Sequence, residues 1–426
     1  MAIADSAKEL AWRRLAVVAA AVAIIAVMVA TLWWTGALAA LTHSRWRSEI
    51  AIAAAIAIVI AAALWGLPWY RERSFLRGYG SDYPAAAGAS PQEFQARFAD
   101  AMRRLRQLPR PSGEADAVHS LPWLLLIGAG GSGKTSAVKA SALFTPLTSL
   151  SAEEGTRNFD WWVSNKMLAI DTAGRYAIAP DAATDRAEWY RILRLIRHYR
   201  AHEPLNGIVV VIAADSLMTR GDEEVRREAG ELRNRIEEAT RELGASFPIY
   251  ALVTKCDLIE GFSGFFGQLP ERVWGEAIGY ASPADDGAAR PDREQWRRSS
   301  LREGLDSIYQ RLGMLRLSLL SGESPQERRL PIFCFPEEFR ALELRAEIFL
   351  EPLLSEDVRY HTPLFRGIYF AGAAGDGAAV SALRRQLDIA EPPSPLPADG
   401  RRDFFLHDFF DLILPRDRAL ARSGGK

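Results

Sequence analysis

"LLLIGAGGSGKTSAVKA", Leu124 to Ala140, decides the fold of this chain. Apolar residues of buried-strand type run from Trp123 to Ile127 and end in a glycine cluster, and a helix-forming segment, Lys134 to Leu143, follows. Gly128, Gly133, Lys134 and Thr135 satisfy G-x-x-x-x-G-K-[ST], with Ala129, Gly130, Gly131 and Ser132 between them. Glycines let the backbone curl until its N–H groups point at phosphate oxygens. The helix N-terminus adds its partial positive charge. Lys134 would reach the β- and γ-phosphates, and Thr135 would offer its hydroxyl to Mg²⁺. The plainer alternative is a structural glycine turn.

Two further stretches belong to the same reading. In "LAIDTAGRY", Asp171 ends an apolar strand and Gly174 lies three residues on. Behind a P-loop, such an acid holds Mg²⁺, usually through water, and the glycine amide senses a γ-phosphate. In "LVTKCDLIE", Thr254, Lys255 and Asp257 stand at a strand end where a base would lie. A carboxylate accepts two hydrogen bonds from guanine, whereas adenine would leave it unpaired. The plainer alternative is a capped strand end with a solvated aspartate. GTP or ATP with Mg²⁺ is the expected cofactor set. Thr156 is the first choice for a second, switch-type threonine on Mg²⁺, with Thr145 and Thr148 as rivals.

Hydrolysis is less well provided for. The residue after D-x-x-G is Arg175, not a water-orienting glutamine. An arginine cannot act as a base at neutral pH, although it can stabilise charge on a phosphoryl group. Asp185 and Glu188 follow nearby without an assignable role.

The rest of the chain sets the context. Its 426 residues carry a net charge of −1, which gives no global reason to expect nucleic acid. Two cysteines and 6 histidines form neither a disulfide framework nor a zinc spacing. Residues 15–41 and 50–70 are free of charge, long enough to span a bilayer, and bordered by tryptophans. A transmembrane hairpin is therefore expected, with a cleaved signal peptide as the weaker alternative. Basic residues on both outer flanks place the N-terminus and the chain after residue 71 in the cytoplasm.

Residues 71–120 read as a linker and an amphipathic helix. Ser90, Pro91 and Glu93 punctuate the start of that helix, and Phe94, Phe98, Met102 and Leu105 share one face. The helix suits either anionic headgroups or packing on the domain that follows. Residues 121–260 read as a P-loop nucleotide-binding core: strand, loop, helix, the hairpin "FDWWV"–"SN"–"KMLAID", then helices alternating with "GIVVVIAA" and "PIYALVT". Val225, Leu232 and their neighbours favour packing on a sheet over a coiled coil. Residues 261–426 read as a helical extension with further strands. Gly261 to Asp292 looks irregular, Arg293 to Leu320 helical, "PIFCF" (Pro331 to Phe335) strand-like, and Phe365 to Phe370 an edge strand. The fold class is α/β, a GTPase-like, mostly parallel sheet.

The order P-loop, hairpin, D-x-x-G, T-K-x-D resembles a Ras-type GTPase core, with Thr254 where such proteins usually carry Asn. "GAGGSGKTS", "TRNFDWWVSNKMLAIDTAGRY", "VTKCDLIEGF" and "FRGIYFAG" resemble, more specifically, the IcmF/TssM family of type VI secretion systems. The resemblance implies a bacterial inner-membrane protein whose cytoplasmic nucleotide-binding domain helps anchor the secretion apparatus. Its partners would be the membrane, a DotU-like inner-membrane protein, cytoplasmic baseplate components and further copies in an oligomer, with no nucleic acid. That family is much longer, with a third span and a periplasmic region, so this chain is expected to be a fragment or a shortened relative. Three functions follow in order of preference: a nucleotide-binding scaffold that hydrolyses slowly, a transport-coupled GTPase or ATPase with true turnover, and a purely structural anchor.

Overall fold

Five apolar runs of five to seven residues form the parallel centre of an eight-stranded sheet. The structure, a computed structural model, describes residues 91–108, 116–147, 159–178, 182–282, 293–322, 326–355, 364–373, 378–390 and 403–423. All of them belong to one compact unit, Ala85–Lys426. The expected transmembrane hairpin, the linker and Ser90 lie outside the described residues. Among the described residues, no helix is long and apolar enough to cross a membrane.

The strands are β1 (Trp123–Ile127), β2 (Thr145–Pro146), β3 (Phe159–Val163), β4 (Leu168–Thr172), β5 (Gly207–Ala213), β6 (Pro248–Thr254), β7 (Ile278–Ala281) and β8 (Leu364–Phe370). Their spatial order is β2-β3-β4-β1-β5-β6-β8-β7. The five from β4 to β8 in that order run parallel, and β2, β3 and β7 are antiparallel to their neighbours. Residues of the central strands are buried on both faces, as parallel strands sandwiched by helices must be. The expected hairpin is present, with Phe159 opposite Thr172 and Val163 opposite Leu168.

The helices that cover the sheet are α1 (Pro91–Arg106), α2 (Lys134–Ala140), α3 (Ala182–Tyr199), α4 (Ala214–Thr219), α5 (Asp222–Leu243), α6 (Phe262–Phe266), α7 (Arg293–Ser321) and α8 (Gln326–Leu354). The apolar face of α1 packs on the protein. Phe94 meets Phe159 edge-on at 4.9 Å between ring centroids, and Phe98 lies 4.8 Å from Trp161. Phe98 also stacks on Tyr199 of α3 at 5.3 Å. Of the two readings of this helix, its contacts favour packing. The other face of the sheet is covered by α2, through Ala137 and Val138, and by a C-terminal segment carrying Leu406, Phe409, Phe410 and Leu414.

Two expectations for the extension are corrected. "PIFCF" is not a strand but part of the 29-residue helix α8. Ile332, Phe335, Phe339, Leu342, Ala346 and Phe349 are all buried, at steps of three and four. A five-residue apolar run carries no period of its own, and the longer window decides. Nor is Phe365 to Phe370 an edge. β7 pairs outside it, Ile278 opposite Phe370 and Ala281 opposite Gly367. β7 comes from the segment read as irregular, and four residues including a glycine give too short an alternation to detect.

Candidate functional site

The loop between β1 and α2 closes on itself. Lys134 is 6% exposed, and its ammonium donates to the carbonyls of Gly128 at 2.8 Å and Ala129 at 2.9 Å. Burial pulls its pKa below the ordinary lysine range, against the opposing pull of Asp171 and Glu228. An ammonium held by loop carbonyls and partly desolvated exchanges readily to a phosphate, which returns a full opposite charge.

Asp171 at the end of β4 is fully buried. Thr135, in the first turn of α2, donates its hydroxyl to Asp171 Oδ2 at 2.5 Å. The D-x-x-G glycine is lodged against the P-loop backbone. A Cβ placed on Gly174 would fall 2.1 Å from the Gly130 nitrogen and 2.7 Å from the Ala129 carbonyl carbon. Asp171, Gly174, Thr135 and Lys134, read from stretches some forty residues apart, thus meet at one corner. Hydroxyl and carboxylate oxygens are the donors a hard divalent cation takes. Two such oxygens at hydrogen-bond distance, beside a glycine-rich loop, fit Mg²⁺ bound together with nucleotide phosphates.

Thr254 sits on the opposite wall. It is 4% exposed, and its hydroxyl donates to the Ser132 carbonyl at 2.5 Å, with the Ile212 carbonyl at 3.3 Å. It ties the P-loop to the end of β6. Gly133 follows with φ +82°, the left-handed region that favours glycine, and a Cβ there would lie 2.9 Å from Thr254 Oγ1. Lys255 is also left-handed, with φ +54°, and its ammonium lies 3.6 Å from Asp215 Oδ2 after β5. Asp257 stands in the short turn Cys256–Leu258, half-buried.

A shallow cleft lies between these walls. Gly133 and Ala137 line it from the P-loop side, and Thr254 and Lys255 from β6. Ala371 and Ala373, just after β8, and Leu406 of the C-terminal segment complete it. The lining is mainly apolar with a few polar groups, as in many ligand sites.

Arg175 is committed elsewhere. Its guanidinium pairs with Glu188 at 2.5 Å and Asp185 at 3.3 Å, and stacks 4.9 Å from the centroid of the Tyr176 ring. Tyr176 donates to the same Glu188 oxygen at 2.7 Å. Burial alone would lower the pKa of Arg175, yet Tyr176, Glu188 and Asp185 outweigh it and raise it. Asp185 and Glu188, without a role in the sequence, hold this arginine on α3. Thr145 is exposed and donates to the Val163 carbonyl at 3.2 Å, in the edge pairing of β2 with β3. Thr148 and Thr156 lie outside the described residues. The sequence did not point to Ala371, Ala373, Leu406 or Asp215. The small residues of "FAGAAG" after β8 were the available signal for the first two; Leu406 had none.

Strand order, P-loop and the Thr135–Asp171 corner define the class as a P-loop α/β domain of GTPase-like architecture. Within it, the chain belongs to the IcmF-related family: the model of the IcmF-related N-terminal domain matches residues 182–425. The match begins beyond the P-loop and Asp171. The chain is similar to the type VI secretion system component TssM1 of Pseudomonas aeruginosa, at 31% identity over 364 residues. That similarity covers 80% of this chain and 32% of the relative, so the chain spans about a third of its relative's length. Among solved structures, the signal recognition particle receptor SRb–GDP–Mg of Chaetomium thermophilum is 15% identical, covering 63% of this chain and 98% of the other, with a TM-score of 0.24. A GDP complex of an ADP-ribosylation-factor-like small GTPase of Encephalitozoon cuniculi is 14% identical, covering 42% and 62%, with a TM-score of 0.22. At those scores the overlap is loose, and the architecture rests on the strand order and the loop.

Proposed function

We propose that this chain is a nucleotide-binding scaffold of a type VI secretion membrane complex, anchored by the 15–41 and 50–70 spans in a bacterial inner membrane. Its cytoplasmic domain binds GTP with Mg²⁺ and hydrolyses it slowly. The observation that carries the reading is the corner where Thr135 bonds Asp171 while Gly174 rests on Gly130. A hydroxyl and a carboxylate meet there beside the P-loop, with the D-x-x-G glycine packed on it, as a Mg–phosphate group would need. Lys134 would bind the phosphates, while Thr135 and Asp171 would hold the cation, which supplies charge neutralisation on those phosphates. Asp257 and Lys255 would take the base. Slow turnover follows from Arg175, whose side chain serves α3 rather than a water. By family membership, the partners are other secretion-complex proteins, a DotU-like membrane partner and baseplate components among them.

The test uses the full chain in detergent. Saturable GTP binding with turnover well below about 1 s⁻¹, the low end of ordinary enzymes, is expected; turnover at or above that rate would favour the transport-coupled GTPase. Asp257→Asn is expected to shift preference from GTP toward xanthosine triphosphate by about tenfold or more, from one exchanged hydrogen-bonding edge. An unchanged preference would remove Asp257 from base recognition.

A further inference from the structure

The C-terminal segment is hooked onto the end of the sheet where a base would lie. Phe404 donates its N–H to the Gly372 carbonyl at 2.7 Å and accepts from the Gly372 N–H at 3.2 Å. Gly372 itself touches Asp257, since a Cβ on Gly372 would lie 3.2 Å from both the nitrogen and the Cβ of Asp257. The Phe405 N–H then donates to the Trp274 carbonyl at 2.6 Å, and the Asp408 N–H to the Gly275 carbonyl at 2.9 Å. Phe404 and Phe405 sink into an aromatic group with Phe262 and Phe266, at centroid distances from 4.8 to 6.5 Å. Between these anchors the chain makes a left-handed turn at Phe405, with φ +68°. A bulky residue adopts that conformation only when its surroundings over-determine it. The outcome of the turn is the position of Leu406, which enters the cleft opposite Lys255 and Ala373.

Resting on the nucleotide-binding reading, we infer that Leu406 is the apolar wall of a nucleobase subsite, so that the C-terminal strap is part of the guanine-nucleotide site. A purine offers two flat apolar faces and a polar edge. The cleft offers apolar surface for the faces, from the methyl groups of Ala371 and Ala373, the Leu406 side chain and the Lys255 stem, and Asp257 lies beside Gly372, between the two alanines in sequence, for the edge. No other segment described here supplies a large apolar side chain to that cleft. The consequence is coupling. Whatever moves residues 403–414 moves a wall of the base site, and the base in turn holds the strap.

The experiment compares GTP with inorganic tripolyphosphate, which has phosphates but no base, each displacing a fluorescent guanine nucleotide from the full chain in detergent. Leu406→Ala is expected to weaken GTP about tenfold, the loss of one buried aliphatic contact, and to leave tripolyphosphate within about twofold. Leu406→Met, which keeps the volume, is expected to stay within about threefold of wild type for both. GTP affinity unchanged in Leu406→Ala would overturn the inference. Equal weakening of both ligands would overturn it too, because the variant would then have damaged the fold rather than the subsite. Wild-type protein that binds neither ligand would sink the nucleotide reading itself, and this inference with it.

Discussion

Gly174 shows how much a single residue carries. A Cβ added to it would strike the P-loop backbone, 2.1 Å from the Gly130 nitrogen. Contact with backbone cannot be relieved by a rotamer change, so β4 or the loop must shift. Gly174→Ala is expected to destabilise the domain by about 1–3 kcal/mol, the usual cost of overpacking, read as a lower urea midpoint at unchanged slope. It is also expected to weaken any response to the γ-phosphate, because the amide that would sense it is displaced. An unchanged midpoint would mean the two loops are not in contact. Thr254 explains a departure from the common motif. At the position where a Ras-type core usually carries Asn, its hydroxyl reaches the Ser132 carbonyl at 2.5 Å and ties the P-loop to the end of β6.

Among the elements, the long helices α7 and α8 form a layer with its own electrostatics. Glu343 is fully buried on α8, 3.2 Å from Arg340. Burial pushes its pKa up to about 8, opposed by Arg340 and reinforced by Asp306 and Glu347. The folded protein therefore keeps this proton up to about pH 8, whereas an unfolded chain releases it near ~4.3. Between those limits the folded state binds more protons, so stability falls as pH rises and levels off above about 8, by at most ~1.4 kcal/mol per pH unit. Glu343→Gln is expected to raise the thermal midpoint at pH 8.5 and to flatten its decline from pH 6. A wild-type midpoint that rises over that range would contradict this. The elements also show what the sequence could convey. β1, β4 and β6 were legible because apolar runs ended in motif residues, β5 because it is apolar throughout, and α5 because its apolar stripe ran 22 residues to a glycine cap. α8 was only partly legible, since Pro331 and Pro336 interrupt its pattern and the four apolar residues between them mimic a strand. β7 and the Leu406 strap were not legible, for their roles come from pairing and packing across more than eighty residues of chain.

At the scale of the whole molecule, the phosphate side of the site is local in sequence and the base side is not. Residues 128–135 carry the cradle, while the cleft draws on β6, the end of β8 and a strap some 270 residues downstream of the P-loop. Such a site cannot be cut from its extension, which is why the strands after residue 261 complete the same sheet. The proposed base subsite would tie nucleotide occupancy to the C-terminal segment, in a chain that spans about a third of its relative's length. Membership of the IcmF-related family sets the biological frame, and occupancy of the P-loop is the central claim within it. The most direct measurement is a GTP titration of the full chain in detergent with Mg²⁺, wild type beside Lys134→Ala. Saturable wild-type binding, weakened about a hundredfold in the variant by loss of its charge-assisted phosphate bonds, is the predicted result. Equal affinity in the two proteins, or no saturable binding in the wild type, would contradict it.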